Sequence, residues 1–174
     1  MVYRQRAFRP LHRALVLATV AVAGLLALSN GLRVFGEEPP ERVAVAIIVN
    51  SENVVSGLTM PELRALFNLK TRFWLSGMPV QVILPGKQLQ ERAVMLEQVY
   101  RMSATELAES WRQRIFAGEI HTVPTGAPSS QALVRMVENN RAAIAAVRAS
   151  AVTDKVHVVR IEGKLPGEPD YPLQ

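Results

Sequence analysis

The chain has 174 residues, with 20 Lys plus Arg, 15 Asp plus Glu and no cysteine. That length suits one structured domain, and a cysteine-free chain has no disulfide framework, thiolate metal site or cysteine nucleophile. The net charge of +5 resembles a nucleic-acid footprint. However, four arginines (Arg4, Arg6, Arg9, Arg13) fall in the first thirteen positions with no acidic residue among them, and without them 16 basic residues face 15 acidic ones. Interspersed charges of both signs are an ordinary solvated surface, which argues against nucleic acid.

Met1–Arg13 is basic, Ala14–Leu28 is a run of fifteen uncharged residues, and Ser29, Asn30 and Gly31 break it. A basic flank, an apolar stretch and a small-residue zone are the three parts of a secretory signal. As a helix the apolar run would be roughly 22 Å long, short of the roughly 30 Å hydrocarbon core. Cleavage after Ser29 fits this pattern; an uncleaved anchor running to Leu32 is the alternative. Residues 1–29 are therefore assigned as signal peptide or membrane anchor, and residues 30–42 as a linker containing Glu37-Glu38-Pro39-Pro40-Glu41. Both readings place residues 43–174 across the membrane, in the periplasm or anchored to the inner membrane and facing it.

Within that domain, Arg42–Val49 is nearly all apolar and β-branched, the pattern of a central strand covered on both faces. Thr59-Met60-Pro61-Glu62 is a capping box with proline in the first turn. It opens a helix whose Met60, Leu63 and Phe67 share a face. Pro79–Leu84 alternates as a second strand, ended by Pro85-Gly86. The spacing of Leu89, Ala93, Leu96 and Tyr100 predicts a helix over Gln88–Arg101. Ser103-Ala104-Thr105-Glu106 is a second capping box, with Ala104, Leu107, Ala108, Trp111 and Ile115 on one stripe behind it. Gly118–Pro128 reads as loop, and Ser130 as the cap of a helix through Glu138. Ile144–Val147 and Val156–Ile161 read as the last strands, with Gly163 in a turn. Strands interleaved with helices give an α/β fold, a mixed sheet flanked by helices.

Several of these phrases recur in a recognisable order. "AIIVNSENVVSGLTMPELRALFNLKTRFWLSGMPVQVIL" resembles the opening of small phosphate-type substrate-binding domains of ABC uptake systems. A Val-Asn strand end there precedes a Ser-Gly-Leu-Thr helix start, a Leu-Phe helix end and an aromatic-Trp loop. "SATELAESWRQRIFAG", "SSQALVRMVENNRAAIAAV" and "IEGKLPGEPDYPL" look like the same family's later helices, strands and tail, so the likeness spans about Val43 to Leu173. It implies a type 2 periplasmic binding protein fold, present here as one lobe or a reduced form. It also implies a non-enzymatic role without a cofactor, with a small anion such as phosphate as ligand and a membrane or envelope protein as partner. The second reading is an envelope interaction or sensory accessory module that kept the fold and lost the ligand. At one helix start the family often has Ser-Gly-Thr-Arg; this chain has Leu89-Gln90-Glu91-Arg92. The expected glycine-tyrosine pair of the penultimate strand is Ala145-Ala146.

The candidate anion-binding residues are Lys87, Gln88, Gln90 and Arg92, which would combine cations with a helix dipole; an exposed, soluble helix start is the alternative. Asn50, Ser51, Glu52 and Asn53 could line a ligand loop or form Asx-type turns. His121 and His157 lack a second ligand at metal-like spacing, and no nucleophile elbow is present. Trp74 and Trp111 read as core aromatics. No catalytic or metal residues are assigned.

Overall fold

The computed structural model of the protein describes residues 43–174. The expected signal or anchor and the linker lie outside the described residues. In chain order the elements are β1 (Val45–Asn50), β2 (Gly57–Leu58), α1 (Met60–Phe67), β3 (Gln81–Pro85) and α2 (Gln90–Val94). Then come a π-helical stretch (Met95–Tyr100), α3 (Ala104–Phe116), β4 (Thr125–Ala127), α4 (Ser130–Glu138), β5 (Ala143–Arg148) and β6 (Val156–Ile161).

The six strands form one mixed sheet in the order β2-β6-β1-β5-β3-β4. β1 is antiparallel to both neighbours, pairing Ile47 with Ala146 on one side and with Val159 on the other. β3 is parallel to β4 and to β5. Every residue of β1 is buried, as its continuous apolar run requires: successive side chains point to opposite faces, and both faces are covered. Val45, Ile47 and Val49 pack with Leu63, Leu66 and Phe67 of α1, Met95 and Val99 of the π-helical stretch, and Leu107 and Trp111 of α3. Ala46 and Ile48 pack on the other face with Leu133, Val134 and Val137 of α4. Fully burying a side chain of this kind contributes about 1.5–3 kcal/mol. The result is the mixed α/β sheet flanked by helices that the patterning implies.

Both capping boxes form as read, at Thr59/Glu62 and Ser103/Glu106. Trp74 and Trp111 are core residues. Other expectations need correction. The loop assigned to Gly118–Pro128 contains β4, three residues too short to show alternation. The cap of α4 is Ser129, whose side chain accepts from Ala132 N, and not Ser130, which is the first helical residue. On α3 only Leu107 and Trp111 are buried; Ala104 and Ala108 are exposed, as is Ile115. The helix expected over Gln88–Arg101 starts at Gln90 and widens to π-turns after Val94. Its buried face holds Glu91, Met95, Val99 and Tyr100, while Ala93 faces solvent. Near its end Arg101 adopts a left-handed conformation with φ 54°, which stops the helix.

The C-terminal segment closes one edge of the core. Val45 N donates to Leu173 O at 2.8 Å, and the Tyr171 hydroxyl donates to Val45 O at 2.7 Å. Burial pushes the Tyr171 phenol above its ordinary pKa.

Candidate functional site

Because β3, β4 and β5 are parallel, their carboxyl ends at Pro85, Ala127 and Arg148 gather at one end of the sheet. That is the end where α/β sheets place ligands. Both α2 and α4 begin there, so two helix N-termini supply free N–H groups and positive dipole ends.

The turn into α2 is tightly held. Gly86 N donates to Ala127 O at 2.8 Å, and a β-carbon on Gly86 would lie 2.8 Å from that same oxygen. Gln88 Nε2 donates to Pro128 O at 2.9 Å, tying the turn to the strand beside it. Leu89 is the N-cap and supplies no side-chain bond, so this helix start gains nothing from its cap.

Glu91 is the centre of the region. It is 1% exposed, yet it is a carboxylate on a helix of otherwise apolar inward residues. Its Oε1 accepts from the Ser130 hydroxyl at 2.6 Å and from the Arg148 main-chain N–H at 3.1 Å. The Arg148 Nε lies 4.0 Å from the same oxygen. The Arg148 guanidinium also donates to Gln90 Oε1 at 2.7 Å. Thus α2 grips the end of β5 through two consecutive side chains, and grips the first turn of α4 through one of them. Burying a charge without such partners would be prohibitive.

The four residues expected to form an anion site are placed as follows. Lys87 is exposed. Gln88 is bonded to Pro128 and Gln90 to Arg148. Arg92 turns toward α3, where its guanidinium sits 5.9 Å from the Trp111 ring centroid. Burial lowers the Arg92 pKa, partly offset by the neighbouring Tyr100. Tyr100 meets the Trp111 ring edge-on at 6.0 Å and donates its hydroxyl to Phe67 O. Arg92 is thereby built into an aromatic cluster, apart from Gln88 and Gln90.

Asn50 to Asn53 form consecutive Asx turns: Asn50 Oδ1 accepts from Glu52 N, and Asn53 Oδ1 from Val55 N, both at 3.0 Å. Asn50 Nδ2 also donates to the last carbonyls of α4, at Val137 and Glu138. Since β1 runs antiparallel, this turn sits at the opposite end of the sheet from the Glu91 cluster. A separate cavity of about 460 Å³ there is lined by Arg72, Gln81, His121 and Thr125. No group of three His, Asp or Glu among the described residues could hold a metal ion.

Sequence reasoning missed Ser130 and Arg148 as partners of Glu91. The signal was available: Glu91, Met95 and Val99 fall at i, i+4 and i+8, so a carboxylate on an apolar stripe required buried donors.

No protein-family model and no curated protein matches the chain. Solved structures do. The chain shares its fold with an ABC-type phosphate transport receptor from Vibrio cholerae (TM-score 0.58, 16% identity), covering 71% of this chain and 48% of that one. PstS from Borrelia burgdorferi gives a TM-score of 0.58 at 9% identity, covering 75% and 54%. A phosphate-binding protein from Stenotrophomonas maltophilia gives 0.53 at 20%, covering 71% and 40%. The described residues share the fold of these three structures. Two of the three are, by name, a phosphate transport receptor and a phosphate-binding protein, and the chain matches about half the length of each of the three or less.

Proposed function

We propose that the chain is an exported, non-enzymatic domain that keeps the binding-protein fold and serves as an envelope interaction or sensory accessory module. The observation that carries this reading is the commitment of the α2 start to the domain's own fold. Gln88, Gln90 and Glu91 are all engaged by main-chain or side-chain partners. A dedicated site for a dianion needs many converging free donors, because stripping its water is expensive.

The second reading is uptake of phosphate or another small anion, favoured by the phosphate-transport function of the fold's neighbours. On that reading Lys87 is the cation left available at the α2 start, beside Gln88 and Gln90, with Arg92 one turn in. Calorimetry of the full chain with phosphate separates the two. We expect a dissociation constant above about 1 mM, equivalent to less than roughly 4 kcal/mol. Micromolar affinity would overturn the accessory reading and restore uptake.

A further inference from the structure

We infer that the Glu91 carboxylate is a resident anion, a tethered ligand filling a seat for a small carboxylate that opens only when Glu91 is removed. The inference rests on the reading that this end of the sheet is closed to free anions. Three features define the seat. It is lined by donors, with the Ser130 hydroxyl and the Arg148 N–H both directed at Glu91 Oε1 and the Arg148 guanidinium beside them. It lies at the first turn of α4, a nine-residue helix whose cap, Ser129, is itself engaged, so the dipole end faces the bound carboxylate. And it is closed: Glu91 is 1% exposed, so solvent anions cannot compete for the donors while the side chain is present.

The donors come from elements far apart in sequence, the start of α4 and the end of β5, and the carboxylate arrives from a third, α2. The stripe that Glu91 shares with Met95 and Val99 is otherwise apolar and fully buried, so a carboxylate is accommodated there by its donors and not by its neighbours on that face. An apolar side chain at position 91 would leave the donors of Ser130 and Arg148 unpaired, which costs more than the hydrogen bonds contribute. Gln90 holds the Arg148 guanidinium from the side, which keeps it next to the carboxylate without competing for Oε1. The seat thus has the chemistry of an oxyanion site, with its occupant supplied by the protein.

Truncation to alanine removes the atoms of an acetate molecule, so the test is chemical rescue of E91A in the full chain. In chloride, E91A should melt below the parent. Acetate should raise its melting point saturably at constant ionic strength, and at ten times its dissociation constant should shift the folded-to-unfolded ratio by about elevenfold. The parent should respond to acetate no more than to chloride. E91Q keeps the seat filled and should show no acetate response. Adding S130A to E91A should weaken acetate binding.

A folded E91A that responds identically to acetate and chloride would overturn the inference. If E91A does not fold in chloride, refolding yield becomes the readout: recovery in acetate alone supports the seat, and no recovery in either salt overturns it. Micromolar phosphate binding by the parent would sink the functional reading while leaving the acetate result on E91A to decide the seat. A phosphate-silent parent with an unresponsive E91A would sink the seat alone.

Discussion

Gly86 shows how narrowly this end of the sheet is specified by one residue. Its amide donates to Ala127 O, and any side chain would press on that oxygen at 2.8 Å and on the Gln88 amide at 2.8 to 2.9 Å. The flexible Gln88 side chain can move aside, but the Ala127 carbonyl is held in β4. Gly86→Ala should therefore destabilise the fold by roughly 1–3 kcal/mol, the usual cost of overpacking. Urea unfolding measures it as a lower midpoint with an unchanged slope. A neutral result would mean the turn relaxes freely, and that the bonds of Gly86 and Gln88 to the end of β4 do not fix its position. Glu91 is the matching lesson about legibility. Read as one letter in a helix start, it suggests a charge exposed to solvent. Its spacing with Met95 and Val99 signals the burial, but its partners Ser130 and Arg148 lie 39 and 57 residues away, a pairing that no local pattern encodes.

Among the elements, the helices with capping boxes were the legible ones, because their signals are contained in four residues. At α3, Ser103 Oγ accepts from Glu106 N at 3.2 Å while Glu106 Oε2 accepts from Ser103 N at 2.8 Å. The bond from the Ser103 backbone, then the one from its side chain, holds the Glu106 carboxyl below its ordinary pKa. A depressed carboxyl contributes stability that is present above its unfolded pKa, near 4.3. That contribution is lost as pH falls through the folded value. Glu106→Gln should therefore melt below the parent at pH 7, and the gap should close as pH is lowered from about 6 toward 3. A gap independent of pH would show that the carboxylate charge is not the source. Ser103→Ala should cost about 1 kcal/mol, as N-cap losses typically do. By contrast, α2 lacks a side-chain cap and gives way to π-turns after five residues. A 3.6-residue period fitted across that change of pitch put Ala93 inward and left out Met95 and Val99. Short β4 escaped notice because three residues carry no period.

At the scale of the molecule, the class of fold was legible and its wiring was not. The continuous apolar run of β1 announced a strand covered on both faces, and alternation with helices announced layers. That β1 would run against its neighbours, and that β3, β4 and β5 would gather their ends beside α4, is set by long-range pairing. The charge distribution also operates at this scale and yields a prediction independent of the sheet. Four arginines precede an uncharged run of fifteen residues, while the remainder is near neutral. A basic flank keeps its own side cytoplasmic and sends the chain beyond the apolar run across the membrane. Fusing alkaline phosphatase, which folds to activity only after export, behind Pro40 should give an active enzyme. Glutamate in place of all four arginines should lower that activity several-fold by weakening the orientation signal. A stable but inactive parent fusion would place the domain on the cytoplasmic side, and the envelope role proposed for it would fall with the topology.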